Sequence, residues 1–231
     1  MNIGIIGSST VAQTLGEKLL SVGQAVMISA RDPDAPKDLG PRGVVPAAGV
    51  WATTNFDLGR EAAAGTFAEA AAFGELLVNA TAGTISLAAL GAADRADIEG
   101  KILVDLSNPL DFSRGMPPTL GFCNDDSLGE RLQAAYPGAR VVKTLNTVNC
   151  AVMVDPVRLG EETDLFIAGN DAEAKTWVRE NLLESWLGWS RVVDLGDITA
   201  ARAMEMYLPL WLRLLGATGT AVLNVRLVTA P

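Results

Sequence analysis

MNIGIIGSSTVAQTLGEKLLSVGQAVMISAR, residues 1–31, reads as strand, turn, helix and strand. Ile3 to Ile6 is a continuous apolar run stopped by Gly7, the pattern of a strand covered on both faces of a parallel sheet. Val11, Leu15, Leu19 and Val22 then recur at helical spacing, and Gly23 follows where a helix C-terminus favours glycine. Ala25 to Ala30 forms the second strand, which completes a βαβ unit.

The turn inside this unit carries chemistry. Gly7-Ser8-Ser9-Thr10-Val11-Ala12 stands where a Rossmann fold places G-x-G-x-x-G/A. Gly7 makes the tight turn, Ala12 lets helix and strand approach, and the backbone N–H groups from Ser8 to Val11 open the helix toward a pyrophosphate. Ser9 replaces the middle glycine, and its hydroxyl, with those of Ser8 and Thr10, can donate hydrogen bonds instead. At the tip of the second strand, Ser29-Ala30-Arg31 offers a hydroxyl and a guanidinium where NAD sites carry a carboxylate. A 2′-phosphate suits that pair, so NADP(H) is predicted over NAD.

Downstream, short β-forming runs keep alternating with helical patterns. Leu76 to Thr81, Ile102 to Leu106, Val141 to Leu145, Leu165 to Ala168 and Arg191 to Leu195 read as strands. Capping boxes at Thr66 to Glu69 and Ser127 to Glu130 open helices, as does Asp171. Residues 33–65 carry four prolines and read only as a crossover with a short helix around Trp51 to Leu58. A last helix from Thr199 to about Leu215 contains Pro209. The predicted architecture is α/β: a doubly wound, mainly parallel sheet of the Rossmann NAD(P)-binding type. It spans residues 1–231 as one domain, with a helix and strand extension over about 197–231.

Composition narrows the chemistry. The 231 residues include no histidine, which excludes Ser-His hydrolases, His-assisted dehydrogenases and His-bearing zinc sites. A formal charge of -9 without a basic run argues against nucleic acid as a partner. Met1 leads straight into a strand, and no stretch of about 18 uninterrupted apolar residues occurs. A cytoplasmic protein with no membrane partner is expected, and its two cysteines, Cys123 and Cys150, are expected as free thiols.

Ligands of open α/β sheets lie at the carboxyl ends of strands. Those ends supply Ala80, Thr81 and Asn108 as cofactor-side candidates, with Pro109, Asn146, Thr147 and Val148 on the side of a second, small-molecule partner. None is a strong acid or base at neutral pH. The Tyr-x-x-x-Lys pair of short-chain dehydrogenases is absent, because Tyr136 is followed by Arg140 and Tyr207 by Trp211. What remains is hydride transfer between two rings held together, with no catalytic acid or base identified and no metal ligands.

GIIGSSTVAQTLG, SARDP, VDLSNPL around Asn108, VVKTLNTVN around Asn146 and ARAMEMYLPLW occur in that order. Together they resemble the NADPH-dependent coenzyme F420 reductase family, over nearly the whole chain. The resemblance implies NADP on the first turn and on Ser29 and Arg31. It also implies a deazaflavin or flavin-like acceptor in a cleft bordered by the loops after Ala80, Asn108 and Asn146 and by the C-terminal segment. Two other readings stay open: an NADPH-dependent reductase of a small imine or carbonyl, and a non-enzymatic NADP-binding sensor. The final helix could also support a homodimer.

Overall fold

The computed structural model describes residues 1–38, 43–58 and 60–230. In chain order its elements are β1 (Asn2–Ile6), α1 (Thr10–Ser21), β2 (Ala25–Ser29), β3 (Lys37–Asp38), β4 (Val44–Val45), α2 (Ala48–Asp57), β5 (Ala62–Gly65), α3 (Phe67–Phe73) and β6 (Leu76–Asn79). There follow α4 (Ser86–Leu90), β7 (Ile102–Asp105), β8 (Leu110–Asp111), β9 (Thr119–Leu120), α5 (Leu128–Ala135), β10 (Arg140–Thr144) and α6 (Cys150–Met153). The last are β11 (Leu165–Gly169), α7 (Ala172–Trp177), β12 (Val192–Asp194) and α8 (Ala201–Thr218). A π-helical segment, Val178–Trp186, prolongs α7.

Eight strands form the central sheet in the order β12-β11-β10-β7-β6-β1-β2-β5. Neighbours are parallel except β10 and β11, which run antiparallel. The chain winds outward from β1 to β5 on one side and from β6 to β10 on the other. That doubly wound order leaves its crevice where β1 and β6 diverge.

Alternation along the strands divides the core into two clusters. Ile3, Ile5, Val26, Ile28, Val78, Val104 and Val142 face α1, α2, α6 and the π-helical segment. Ile6, Leu77, Leu103 and Val141 face α3, α4 and α5, where α8 joins through Ala201. A parallel sheet buried on both faces is apolar at consecutive positions, which is why Ile102-Leu103-Val104 and Leu76-Leu77-Val78 are continuous apolar runs. Gly4 permits the closest layer contact: a Cβ there would come within 2.0 Å of the Ala70 carbonyl oxygen of α3.

The expected capping residues are in place. Thr66 and Glu69 form a reciprocal box, and Ser127 Oγ accepts from the Glu130 N–H at 3.2 Å. Two expectations are corrected. The crossover over 33–65 contains a core strand, β5, whose Ala62-Ala63-Ala64-Gly65 pairs in parallel with β2; positions 39–42 and 59 of that crossover lie outside the described residues. The segment after α8 forms no strand among the described residues. It is held at Asp164 instead: Asp164 N–H donates to the Val225 carbonyl at 3.0 Å, and Asn224 Nδ2 donates to the Asp164 carbonyl at 3.0 Å. Among the described residues no helix is long and apolar enough to cross a membrane.

Candidate functional site

A cleft of about 550 Å³ opens at the carboxyl ends of β1, β6, β7 and β10. Its walls are Ser9 to Val11, Ala80 to Ala82, Leu106 to Asn108 and Asn146 to Cys150, with Lys37 at one edge. Leu110, Phe112, Met153, Leu208 and Trp211 give it an apolar side. Hydroxyls and amides therefore face an apolar and aromatic wall across one crevice. Among the described residues, Lys37 and the Cys150 thiol are the ionisable side chains on the lining.

Gly7 has φ +130°, and a Cβ there would sit 2.8 Å from the Ala80 carbonyl oxygen. Only glycine lets the turn pass that close to the start of the β6 loop. Ser9 is the N-cap residue of α1 but does not cap it with its side chain; its hydroxyl points to the Ala80 carbonyl at 3.4 Å. The first N–H groups of α1 thus stay free of a side-chain cap, at the positive end of a twelve-residue helix that borders the cleft.

Ser29 departs from its expected role. It is fully buried, and its hydroxyl donates to the Ile5 carbonyl at 2.8 Å and accepts from the Gly7 N–H at 3.3 Å. The side chain braces the Gly7 turn from below and presents nothing to a 2′-phosphate. Arg31 is exposed at the end of β2, with no ion pair to Asp32 or Asp34 among the described residues. Asp32 instead accepts from the Asp34 N–H at 3.1 Å.

Of the remaining candidates, Thr81, Asn108, Asn146, Thr147 and Val148 line the cleft, as Ala80 does. Pro109 is not on the lining: it is buried beneath the cleft loop, against Gly83, and its carbonyl accepts from the Gly121 N–H at 2.7 Å. Ser8 and Gly7 also lie behind the lining, shaping the turn rather than facing the cavity.

Leu145, fully buried, has φ +61°, an uncommon backbone for a bulky residue that turns the chain sharply out of β10. Such a conformation costs about 1–3 kcal/mol and persists only where its surroundings hold it. The hold comes from a reciprocal amide pair. Asn146 Nδ2 donates to Asn108 Oδ1 at 2.9 Å and to the Met204 carbonyl of α8 at 3.1 Å, and Asn108 Nδ2 donates to the Asn146 carbonyl at 2.9 Å. Asn146 Oδ1, Thr147 Oγ1 and Trp211 Nε1 are buried without a partner. An unpaired buried polar atom costs about 1–3 kcal/mol. On the wall of a cleft, such atoms fit a ligand that supplies the missing partners.

Beneath the cleft lies a charged cluster that sequence reading missed. Lys143 of β10 has no exposed surface and sits 2.8 Å from both Asp105 Oδ2 of β7 and Glu205 Oε1 of α8. Its ammonium also donates to the Ser107 carbonyl at 2.5 Å. Asp105 Oδ1 accepts from Asn79 Nδ2 at 2.9 Å, and the Glu205 carboxylate accepts from the Leu128 and Gly129 N–H groups at the start of α5. Burial presses against the charged form of Lys143, but the two carboxylates outweigh it and hold the ammonium above the usual lysine range. Burial pushes the Glu205 carboxyl up, and the Lys143 charge and the Leu128 N–H offset this only in part.

No family model matches the chain. Among solved structures, one from Arthrobacter sp. FB24 described as "a putative f420 dependent nadp-reductase" is 47% identical, with a TM-score of 0.89, and the match covers 99% of this chain and 100% of that one. Hypothetical protein SMa0349 from Sinorhizobium meliloti is 28% identical over 87% of each chain, with a TM-score of 0.64. A reductive aminase from Aspergillus terreus, solved with NADPH and ethyl levulinate, shares the fold at 16% identity and TM-score 0.62; the match covers 94% of this chain and 62% of that one. Metalloreductase STEAP3 of Rattus norvegicus is 27% identical over 213 residues, which is 90% of this chain but only 37% of STEAP3's length. At 47% identity across the whole of both chains, this protein belongs to the family of the Arthrobacter structure, the F420-dependent NADP reductase-like Rossmann proteins.

Proposed function

We propose that the protein is an NADP(H)-dependent oxidoreductase that passes hydride between NADPH and a deazaflavin, coenzyme F420, or a flavin-like acceptor held beside it in the cleft. The observation that carries this reading is the wall composition. The lining offers backbone N–H groups at the start of α1, hydroxyls, amides and an apolar aromatic side, and among the described residues it includes no carboxylate or phenol. A site with that lining is suited to holding two rings in contact, and its ionisable groups among the described residues are Lys37 at the edge and the Cys150 thiol. Bound NADPH supplies the hydride. The residues of this chain bind, orient and exclude water.

In this reading the α1 N-terminus from Ser9 to Val11 receives the pyrophosphate, and Arg31 receives the 2′-phosphate through charge-assisted hydrogen bonds. The unpartnered Asn146 Oδ1, Thr147 Oγ1 and Trp211 Nε1 fit ring amide and carbonyl groups, and Phe112, Met153, Leu208 and Trp211 pack the ring faces. The family membership and the Arthrobacter neighbour's description support the same cofactor pair.

Anaerobic stopped-flow spectroscopy tests the proposal. NADPH is mixed with the protein and F420, FMN or a cyclic imine in separate experiments. Oxidation of NADPH with F420 and not with the imine is the expected outcome. Turnover of the imine alone would transfer the assignment to imine reduction, and tight NADPH binding without oxidation by any acceptor would leave a sensor.

A further inference from the structure

We infer that Lys143 is the positioning residue of the acceptor side of the cleft, acting through Asp105 and Glu205 to set the distance between the strand-end wall and the α8 wall. This rests on the hydride-transfer reading above for its kinetic arm only. The ammonium's partners come from two walls, and Lys143 itself leads into a third. Asp105 and the Ser107 carbonyl lead into the Leu106 to Asn108 wall, Lys143 itself precedes the Leu145 turn and Asn146, and Glu205 lies one helical turn before Leu208 and two before Trp211.

The ammonium's three N–H groups are all taken, by Asp105 Oδ2, Glu205 Oε1 and the Ser107 carbonyl. Its carboxylate partners are saturated in turn by Asn79, the Ser107 N–H, Leu128 and Gly129. A fully satisfied buried ion cluster is weak as a source of stability but strong as a determinant of geometry, because any other arrangement leaves a charge unpaired. Helix α8 reaches the strand ends by one further polar tie, the Asn146 amide to the Met204 carbonyl. That tie is adjacent in sequence to Glu205, so loosening the cluster loosens both. The cofactor turn has its own brace: the Gly7 N–H donates to Ser29 Oγ and Ser9 Oγ donates to the Ala80 carbonyl, and the cluster approaches it through Asn79, the residue before Ala80, which donates to Asp105.

Glu205→Gln is the principal variant, because the amide keeps the side chain's size and its oxygen can still accept from the Leu128 N–H, while the charge and the acceptor opposite Lys143 are lost. Lys143→Met is the second. In Glu205→Gln the NADPH dissociation constant should stay within about twofold, while KM for F420 rises by about fivefold or more. Amide hydrogen exchange should quicken about tenfold or more across residues 204–211 and 145–149 and stay unchanged across α1. If NADPH affinity and acceptor KM move together, or exchange rises evenly along the chain, the cluster is a general stability element and the inference fails. If the unmodified protein does not oxidise NADPH with F420, the proposed function fails and the exchange pattern alone decides: selective loosening supports the inference, and uniform or absent change overturns it. Should Lys143→Met not fold, Glu205→Gln carries both readouts.

Discussion

Ser29→Ala and Arg31→Ala should separate two roles that adjacent positions in the sequence make look like one. The Ser29 hydroxyl bridges the Ile5 carbonyl at 2.8 Å and the Gly7 N–H at 3.3 Å in a site with no exposed surface. Removing it leaves a buried donor unsatisfied, at a cost of about 1–3 kcal/mol. For a chain of this size each kcal/mol shifts Tm by about 2–4 °C, so Ser29→Ala should melt about 2–12 °C lower. Its preference for NADPH over NADH should be unchanged. Arg31→Ala should do the reverse: little change in Tm, because the exposed guanidinium holds no ion pair among the described residues, and about 10- to 100-fold weaker NADPH binding. NADH affinity should barely move, since the lost contact is to the 2′-phosphate. Calorimetric titration of both nucleotides, beside thermal melts, reads each of these quantities. A Ser29→Ala protein that melts normally but loses NADPH selectivity would refute the bracing role. Equal loss of NADH and NADPH in Arg31→Ala would refute the phosphate role.

Gly7→Ala places a Cβ 2.8 Å from the Ala80 carbonyl oxygen at φ +130°, so it should lose about 2–4 kcal/mol in urea unfolding, from strain and overpacking together, and should bind NADPH more weakly. Thr147→Val removes a buried hydroxyl that has no partner, so stability should hold or rise by about 1 kcal/mol while acceptor KM increases; a fall in stability with unchanged KM would show that the hydroxyl is satisfied within the protein. The Arg202 hydrogen bonds hold the Glu130 carboxyl below its ordinary value of 4.5, an effect that burial opposes and Ser127 adds to. A lowered folded value means stabilisation present above pH 4.5 and lost as pH falls through the folded value. Glu130→Gln should therefore be less stable than the parent at neutral pH and lose less between about pH 5 and 3, as read from urea midpoints across that range.

What was legible in the sequence followed from periodicity and punctuation. The βαβ unit at residues 1–31 was clear because Gly7 and Gly23 mark positive-φ positions at its turn and at the end of α1. The capping boxes were clear because Thr66 with Glu69 and Ser127 with Glu130 are local hydrogen-bond devices. Strand β5 was hidden because Ala62-Ala63-Ala64-Gly65 carries none of the branched or aromatic residues that mark strands; its place is dictated by β2 beside it, and that pairing is tertiary. Ser29 was misread for a related reason. Sequence places it at a strand tip, but only the three-dimensional neighbours decide whether a hydroxyl there points outward to a phosphate or back into the turn.

The ion cluster beneath the cleft left a signal that the period-based reading passed over. A strand buried on both faces should be apolar throughout, yet VVKTL holds Lys143, ILVDL holds Asp105, and the apolar face of α8 holds Glu205 between Met204 and Leu208. One cation and two anions interrupting otherwise apolar patterns cannot each be buried alone, because an unpaired buried charge is prohibitively costly. They must therefore meet, and their meeting brings β7, β10 and α8 into contact before any coordinate is known. The absence of histidine, and of carboxylates among the described residues of the cleft wall, then takes on a second meaning. The three charges of this cluster lie under the floor, fully hydrogen-bonded, where they shape the cavity without offering a proton to it.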